Sequence, residues 1–231
     1  MPPAETAKRP RGRAGRPPRE LAGEVDERIL DAARDVFLAR GFEGASIDEV
    51  AQVARAGKPT IYARFAGKEA LYGAVIARNV AANTRFEDFT LEGATFGERL
   101  VNLSVAMLER ALNENTIGLM RISISEARRF PELARSVTEM ARARGTEAVA
   151  RLLNEMHQRE PSGGEGPFAP DRIPLTARIF LDLVFFPIMF RGLVGEDLAA
   201  LRAGIRAHVS ARVAFFLAAV RPEGEREDQR G

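Results

Sequence analysis

The chain has 231 residues, of which 45% are hydrophobic, so it is long and apolar enough to fold around a core instead of remaining disordered. It contains no cysteine, which excludes disulfides, thiolate metal ligands and a cysteine nucleophile, and favours a reducing, cytoplasmic setting. The formal net charge of +2 hides a strong segregation of charge along the chain. Residues 1–19 carry six basic residues and one acidic residue, residues 20–49 carry three basic and nine acidic residues, and residues 50–68 carry four basic and no acidic residues.

The first basic segment lies in residues 1–22, which we predict to be a disordered arm because Pro, Gly and Arg dominate it. No apolar stretch follows its charges, so we expect no export signal. A helical pattern then begins at Glu24, where acidic residues suit the positive end of a helix dipole, and it stops at Gly41. With residues 50–68, the arm would let a polyanion bind this end of the chain.

Two short helices are predicted next, over residues 47–54 and 58–65. Ser46 and Glu49 have the spacing of a capping box before the first, and Pro59 lies in the first turn of the second, where proline is tolerated. Together with the preceding helix they predict a compact helix-turn-helix. Its small core would contain Val36, Phe37, Val50, Ala51, Ile61 and Phe65.

Packing that core would leave one side of the third helix exposed. The outward residues are Lys58, Thr60, Tyr62, Ala63 and Arg64. They offer hydrogen-bond donors, an aromatic edge and a small apolar group, which suit base edges in the major groove of double-stranded DNA. For Lys58 and Arg64 the alternative is an ordinary solvated side chain, because basic residues are common on any helix.

The remaining chain repeats the helical pattern and has no segment of sustained alternation, so we expect no strands. Helices are predicted over residues 68–87, 96–113, 116–128, 131–157, 173–193 and 196–219. Residues 160–172, rich in Pro and Gly, should form a flexible connection, and residues 221–231 a disordered tail. The predicted fold class is all-α, with about nine helices.

Residues 41–76 read GFEGASIDEVAQVARAGKPTIYARFAGKEALYGAVI. This segment resembles the signature of the TetR/AcrR family of one-component bacterial regulators. The matching positions are Gly41, Phe42, Ser46, Ile47, Val50, Ala51, Ala54, Thr60, Ile61, Tyr62, Phe65, Lys68, Glu69 and Leu71. The resemblance is specific over residues 24–80, whereas the rest is similar in helix number and length. Residues 124–134, ISEARRFPELA, resemble the AefR-like branch.

The resemblance implies a role in DNA binding for each matching position. Ser46, Tyr62 and Lys68 match positions that bind DNA phosphates in the family. A second group matches the region that meets base edges, namely Lys58, Pro59, Thr60, Ala63 and Arg64. For Lys68 the helix dipole is a further argument, because a helix N-terminus repels a cation unless an anion is near. The alternatives are a solvated Lys68 paired with Glu69 or Asp35, and a core tyrosine with an exposed hydroxyl at Tyr62.

Two residues of the turn depart from the family pattern. Arg55 stands where glycine is usual, and Gly57 where serine or threonine is usual. A left-handed backbone costs arginine about 1 kcal/mol or more relative to glycine. We therefore expect a turn of different shape, in which Gly57 takes up part of the bend. Gly57 also removes a hydroxyl contact to phosphate.

The arm contains Arg13 and Arg16 in short Gly-Arg sequences. These resemble hooks that lie in narrow A·T minor grooves, where the negative potential is concentrated. The equal alternative is an unstructured basic tail that only adds nonspecific attraction to DNA.

The predicted helix over residues 173–193 is apolar nearly all round. Arg178, Asp182 and Arg191 interrupt it, and a bilayer-spanning helix needs about 20 apolar residues, so we expect no membrane partner. A helix that is apolar on every side must be covered on every side, most simply by a second copy. The resemblance likewise implies a homodimer through residues 173–219, which places two recognition helices about 34–36 Å apart. The alternative is the central core helix of a monomer.

The resemblance also implies a small-molecule effector bound among the C-terminal helices. The candidate pocket residues are Phe86, Phe89, Phe96, Met107, Met120, Phe185 and Met189. Aromatic and flexible side chains would suit an apolar or aromatic effector. For each of them ordinary core packing is the alternative.

These expectations divide the chain into an arm (1–22), a helix-turn-helix domain (23–70), an effector-binding and dimerisation domain (71–220) and a tail (221–231). No catalytic, metal or cofactor site is predicted, because the two histidines lack ligand neighbours and no glycine-rich phosphate loop occurs. The sequence predicts a ligand-responsive transcription regulator, most simply a repressor, and not an enzyme. The alternatives are a DNA-binding regulator or architectural protein without small-molecule control, and a protein-binding helical module.

Overall fold

Nine α-helices make up the described residues of a computed structural model, 19–83, 92–159 and 167–220. In chain order they are α1 (Arg19–Gly44), α2 (Ile47–Val53), α3 (Lys58–Tyr62), α4 (Lys68–Asn83), α5 (Phe96–Ala111), α6 (Glu114–Glu126), α7 (Pro131–Arg159), α8 (Ile173–Leu193) and α9 (Leu198–Ala219). These ranges contain no strand, so the predicted all-α fold is confirmed. The predicted boundaries agree within a few residues, except that α1 begins at Arg19 and not at Glu24.

The first hydrophobic core lies among α1, α2, α3 and α4. Its buried members include the predicted residues Val36, Phe37, Val50, Ala51 and Ile61, with Phe65 packed against them. Gly41 has a φ of 71°, in the left-handed region that glycine adopts without strain, and it kinks the end of α1. Beyond the kink, the Phe42 ring lies with its centroid 5.9 Å from that of Phe37 and 5.3 Å from that of Tyr72. The predicted core of the helix-turn-helix is therefore confirmed.

A second core lies among α5, α6, α7, α8 and α9. One apolar stripe of α9 faces this core through Leu201, Ile205, Val209, Val213 and Phe216. One side of α8 is buried in the same core, where it contributes Phe180, Val184 and Ile188. Within the described residues, α8 is the one helix long and apolar enough to cross a membrane.

The two cores meet where α1 packs on α6 and α4 packs on α7, and a tyrosine of α4 also bonds to α6. Tyr72 of α4 is buried, and its hydroxyl oxygen lies 2.9 Å from the carbonyl oxygen of Leu119 and 2.9 Å from Oγ of Ser123. Burial raises the pKa of Tyr72 to about 12, so the hydroxyl is protonated at neutral pH. It can therefore donate a hydrogen bond to an acceptor on α6. Beside this contact the rings of Phe42 and Phe130 pack edge to face, with centroids 5.0 Å apart. The helix-turn-helix is thereby joined to the C-terminal core.

Candidate DNA-binding interface

Side chains of α1 and the residue before α2 fix α2 at both ends. Oγ of Ser46 accepts a hydrogen bond from the backbone N–H of Glu49 at 3.1 Å, so the predicted N-cap is confirmed. The expected capping box is not completed, because the Glu49 carboxylate accepts a hydrogen bond from Nε of Arg40 at 3.2 Å and not from the backbone of Ser46. At the other end, Nε of Arg28 donates to the carbonyl oxygen of Ala54 at 2.8 Å.

The turn between α2 and α3 bends at Arg55. Arg55 has a φ of 47°, whereas Gly57 has a φ of −69° and a ψ of 143°, an extended conformation before α3. The expectation that Gly57 would take up the bend is therefore wrong. The reason is the way α2 ends: the N–H of Arg55 bonds to the carbonyl of Gln52 at 3.2 Å, and the N–H of Ala56 to that of Ala51 at 3.0 Å. This pair of bonds requires a left-handed residue at position 55.

The α3 helix buries one residue and exposes the rest of its surface. Ile61 is fully buried, whereas Tyr62 is 55% exposed. The other predicted contact residues of this region are exposed (Ser46, Lys58, Pro59, Ala63 and Arg64) or half-buried (Thr60). We call residues 58–60 and 62–64 the α3 face. The structure brings the predicted base-reading residues together on this one surface, beside the N-terminus of α2.

Both cations of the α3 face are paired with carboxylates from neighbouring helices. Nζ of Lys58 lies 2.6 Å from Oδ1 of Asp48, in the first turn of α2. Nε of Arg64 donates to Oδ1 of Asp26 on α1, and Nη1 of Arg64 donates to the carbonyl oxygen of Thr60 at 3.1 Å. Sequence reasoning missed both carboxylates, although the excess of acids in residues 20–49 was the available signal.

Lys68 begins α4 and reaches back to the end of α1. Its Nζ donates to the carbonyl oxygens of Glu43 and Ala45, each at 3.2 Å, and lies 4.7 Å from the centroid of the Phe42 ring. The ammonium therefore has carbonyl and ring partners in place of the Glu69 or Asp35 carboxylate considered above. An ammonium has three donors, so one remains for an anion.

The other candidate residues are far from the α3 face or outside the described residues. Arg13, Arg16, Phe86 and Phe89 lie outside the described residues. The remaining pocket candidates all belong to, or pack against, the second core: Phe96, Met107, Met120, Phe185 and Met189. The structure thus places these five in one region of the C-terminal domain.

An open groove of about 730 Å³ lies elsewhere in that domain, along α7. Three arginines line it, namely Arg135, Arg142 and Arg178 of α8, together with Glu139 and small residues of α7. Arg142 bonds to both carboxylate oxygens of Asp182, at 3.0 and 2.9 Å. The five candidate effector residues that the structure describes do not line this groove.

Two family models match the chain. Residues 29–75 match the model for bacterial regulatory proteins of the tetR family, and residues 98–222 match the model for the C-terminal domain of AefR-like transcriptional repressors. The second match alone spans more than half of the chain. Both agree with the resemblances identified in residues 41–76 and 124–134.

Individual proteins show the same similarity. The chain is 29% identical over 187 residues to the HTH-type transcriptional regulator UidR of Escherichia coli K12. The aligned residues cover 79% of this chain and 89% of UidR. It is 42% identical over 76 residues to the HTH-type transcriptional activator FasR of Mycolicibacterium smegmatis, covering 32% of this chain and 33% of FasR.

Solved structures extend the similarity to the whole fold. The crystal structure of a TetR-family regulator from Mesorhizobium loti MAFF303099 has a TM-score of 0.70 and 26% identity, covering 86% of this chain and 97% of that one. The flavonoid-responsive regulator FrrA has a TM-score of 0.65 and 28% identity, covering 87% of this chain and 99% of FrrA. Both cover the helix-turn-helix and the C-terminal helices.

The left-handed conformation of Arg55 yields a stability prediction. Replacing it by glycine (Arg55→Gly) should raise the free energy of unfolding by about 0.5–1 kcal/mol, because glycine adopts a positive φ without strain. Urea denaturation measures the change. The matched control is Gly57→Ala, whose added Cβ would lie 3.6 Å from Cδ of Pro59, an ordinary contact, and should change stability little. If Arg55→Gly is less stable than wild type, residue 55 does not have the left-handed conformation described here.

Proposed function

The chain belongs to the TetR family of bacterial transcription regulators, and we propose that it is a dimeric repressor which a small-molecule effector releases from a pseudo-palindromic operator. Members of this family bind DNA through the helix-turn-helix and are not enzymes. The observation that carries the proposal is the α3 face, a polar surface held outward by the buried Ile61. The AefR-like repressor match supports repression, exerted in the bacterial cytoplasm.

We assign the parts of this function to the domains expected from the sequence. Residues 23–70 would bind DNA, and residues 71–220 would bind the effector and the second subunit. Residues 19–22 of the predicted arm belong to α1, and residues 1–18, with Arg13 and Arg16, would add a minor-groove or phosphate contact. Residues 1–18 and the predicted tail, residues 221–231, lie outside the described residues. The two separate hydrophobic cores support a division into two domains, but the first core includes Leu71, Tyr72, Val75 and Ile76 of α4, so they favour a boundary after α4 and not at residue 70.

In the proposed docking, α3 enters the major groove and residues around it hold the phosphates. Lys58, Pro59, Thr60, Ala63 and Arg64 would meet base edges. Their exposure on one surface supports this assignment.

Ser46, Tyr62 and Lys68 would contact the phosphate backbone. Oγ of Ser46 already accepts a hydrogen bond from Glu49, which leaves its O–H free to donate to a phosphate oxygen. Lys68 uses its Nζ to bond the carbonyl of Ala45, the residue that precedes Ser46. The two donors therefore lie close together at the start of α2, where phosphates commonly bind.

The outer side of α8 supports the proposed dimer. Leu175, Ile179, Phe186 and Phe190 are each at least half exposed, and their spacing of four, seven and four residues places them on one stripe. A core helix of a monomer would have this stripe covered, and within the described residues it is open. On α9, Gly204, Ala207 and Ala211 are also exposed, and small side chains allow a second helix to approach closely. A second copy would cover both surfaces.

The second core is the proposed effector site. Met107 and Met189 are buried there and Met120 packs against them, and methionine repacks readily around an apolar ligand. FrrA, similar over most of this chain, is described as flavonoid-responsive. We therefore propose an apolar, aromatic effector. The alternative is a DNA-binding regulator without small-molecule control.

Selection of bound DNA from a random pool tests the docking. We expect an enriched inverted repeat whose half-sites lie about one helical turn, 10–10.5 bp, apart or a multiple of it. Tyr62→Ala and Lys58→Ala should each weaken binding to the selected duplex by about tenfold, with folding intact by circular dichroism. Tyr62→Phe separates the hydroxyl from the ring. The docking is wrong if no inverted sequence is enriched.

Sedimentation tests the dimer. The wild-type chain should sediment at twice its mass of 25.3 kDa at micromolar concentration. Ile179→Glu with Phe186→Glu should yield a monomer, because two charges would be buried without partners at the interface. Ile124→Glu is the matched control, since Ile124 is equally exposed but lies on α6. A wild-type monomer would refute the dimer.

A thermal-shift screen separates effector control from its alternative. An aromatic ligand present at about 100 times its Kd should stabilise the fold by about 2.7 kcal/mol and raise the melting temperature. The same compound should weaken operator binding. If flavonoids and other apolar aromatic compounds change neither quantity, the alternative without small-molecule control is favoured.

A further inference from the structure

Two carboxylates lie within bonding distance of the cations that are proposed to read DNA. Asp48 approaches Lys58 to 2.6 Å, with side chains 67% and 54% exposed, and Asp26 accepts a hydrogen bond from Arg64. Ion pairs as exposed as Asp48–Lys58 contribute little to stability. The Asp48–Lys58 contact can therefore break at little cost to the fold.

Other contacts already hold the helices that carry these carboxylates. The Ser46 cap and the bonds from Arg28 and Arg40 fix α2. Neither Asp48 nor Asp26 is buried in the core. A carboxylate in the first turn of α2 suits the helix dipole, but Glu49 already supplies one there, and Asp26 lies seven residues after the start of α1, beyond its first turn. Folding therefore does not require an acid at either position.

A phosphate that approaches Lys58 also approaches Asp48. At equal distance, two like charges repel as strongly as two unlike charges attract. A Lys58–phosphate contact therefore gives up the Asp48 pair and brings a carboxylate next to the phosphate. The net gain from a contact to phosphate alone is small. The same argument holds for Arg64 and Asp26.

We propose that Asp48 and Asp26 are specificity-determining residues, which lower the affinity of the α3 face for DNA that lacks the operator sequence. Binding to nonspecific DNA depends on phosphate attraction, which these carboxylates oppose. Operator DNA adds hydrogen bonds to base edges, which offset the loss of the ion pairs. This inference rests on the docking proposed above.

The test compares Asp48→Asn and Asp26→Asn with wild type in the full-length chain. Two probes are used, a random-sequence duplex and a selected operator duplex of equal length. Each variant should bind the random duplex roughly threefold to tenfold more tightly at low salt, with a log–log salt slope steeper by about 0.9, the effect of one added phosphate contact. Operator affinity should rise by less than this, so the ratio of the two affinities falls.

Asp35→Asn is the matched control. Asp35 pairs with Arg34 at 2.8 Å and follows Asp26 by nine residues, about half a turn beyond whole turns, so it lies on the opposite side of α1. The Asp35→Asn substitution removes one negative charge from the same domain, as Asp48→Asn does. It should leave the affinities for the random and the operator duplex nearly unchanged. Equal effects of Asp35→Asn and Asp48→Asn would overturn the inference, because net charge alone would then explain them.

Two further outcomes identify which proposal fails. If Asp48→Asn weakens operator binding as much as Lys58→Ala does, Asp48 positions Lys58 for the operator, and the inference is wrong although the docking stands. If Lys58→Ala and Tyr62→Ala leave operator affinity at the wild-type value, the docking itself is wrong and the inference falls with it. Circular dichroism and urea denaturation check that each variant is folded.

Discussion

The α3 helix holds its place because Ile61 is buried in a core that α1, α2 and α4 build around it. Its five residues make little more than one helical turn, and an isolated helix of that length is unstable in water. The direction in which its polar residues point is therefore set by packing and not by the helix itself. A change that loosens Ile61 would alter every contact of the α3 face at once.

Long-range polar contacts add precision to that packing. Arg28 and Arg40 of α1 bond to the end and the start of α2, and Lys68 of α4 bonds to carbonyls at the end of α1. Lys68 thus has a structural role in addition to the phosphate contact proposed for it. The charges on the α3 face are also balanced, since Asp48 and Asp26 pair with its two cations, Lys58 and Arg64. Attraction to DNA there is limited by charges of the same domain.

The sequence predicts the features that depend on neighbours along the chain. Hydrophobic periodicity places the helices, and the Ser46 cap needs only a residue three positions away. The left-handed Arg55 was not predicted, because the pattern of bonds that ends α2 overrides the preference of the residue. The Arg64–Asp26 pair joins residues 38 positions apart, and only the crossing of α1 with α3 brings them together. The sequence likewise shows that α8 is apolar nearly all round, but it does not show which side of α8 is buried against the other helices of the same chain.

The hydrogen bonds of Tyr72 to α6 give the second core one route of influence on the first under the proposed function, beside the packing of α1 on α6 and of α4 on α7. An effector that repacks the methionines near α6 would displace the acceptors of Tyr72. Separating them would leave a buried hydroxyl unsatisfied, at a cost of about 1–3 kcal/mol, so α4 should follow α6. Arg78 of α4 bonds to Glu27 and Asp31, at 2.8 and 2.7 Å, and ties α4 to α1 as well. Since α4 begins at Lys68, which bonds to the carbonyl oxygen of Ala45 beside Ser46, a displacement of α4 would alter the phosphate contacts proposed for these residues.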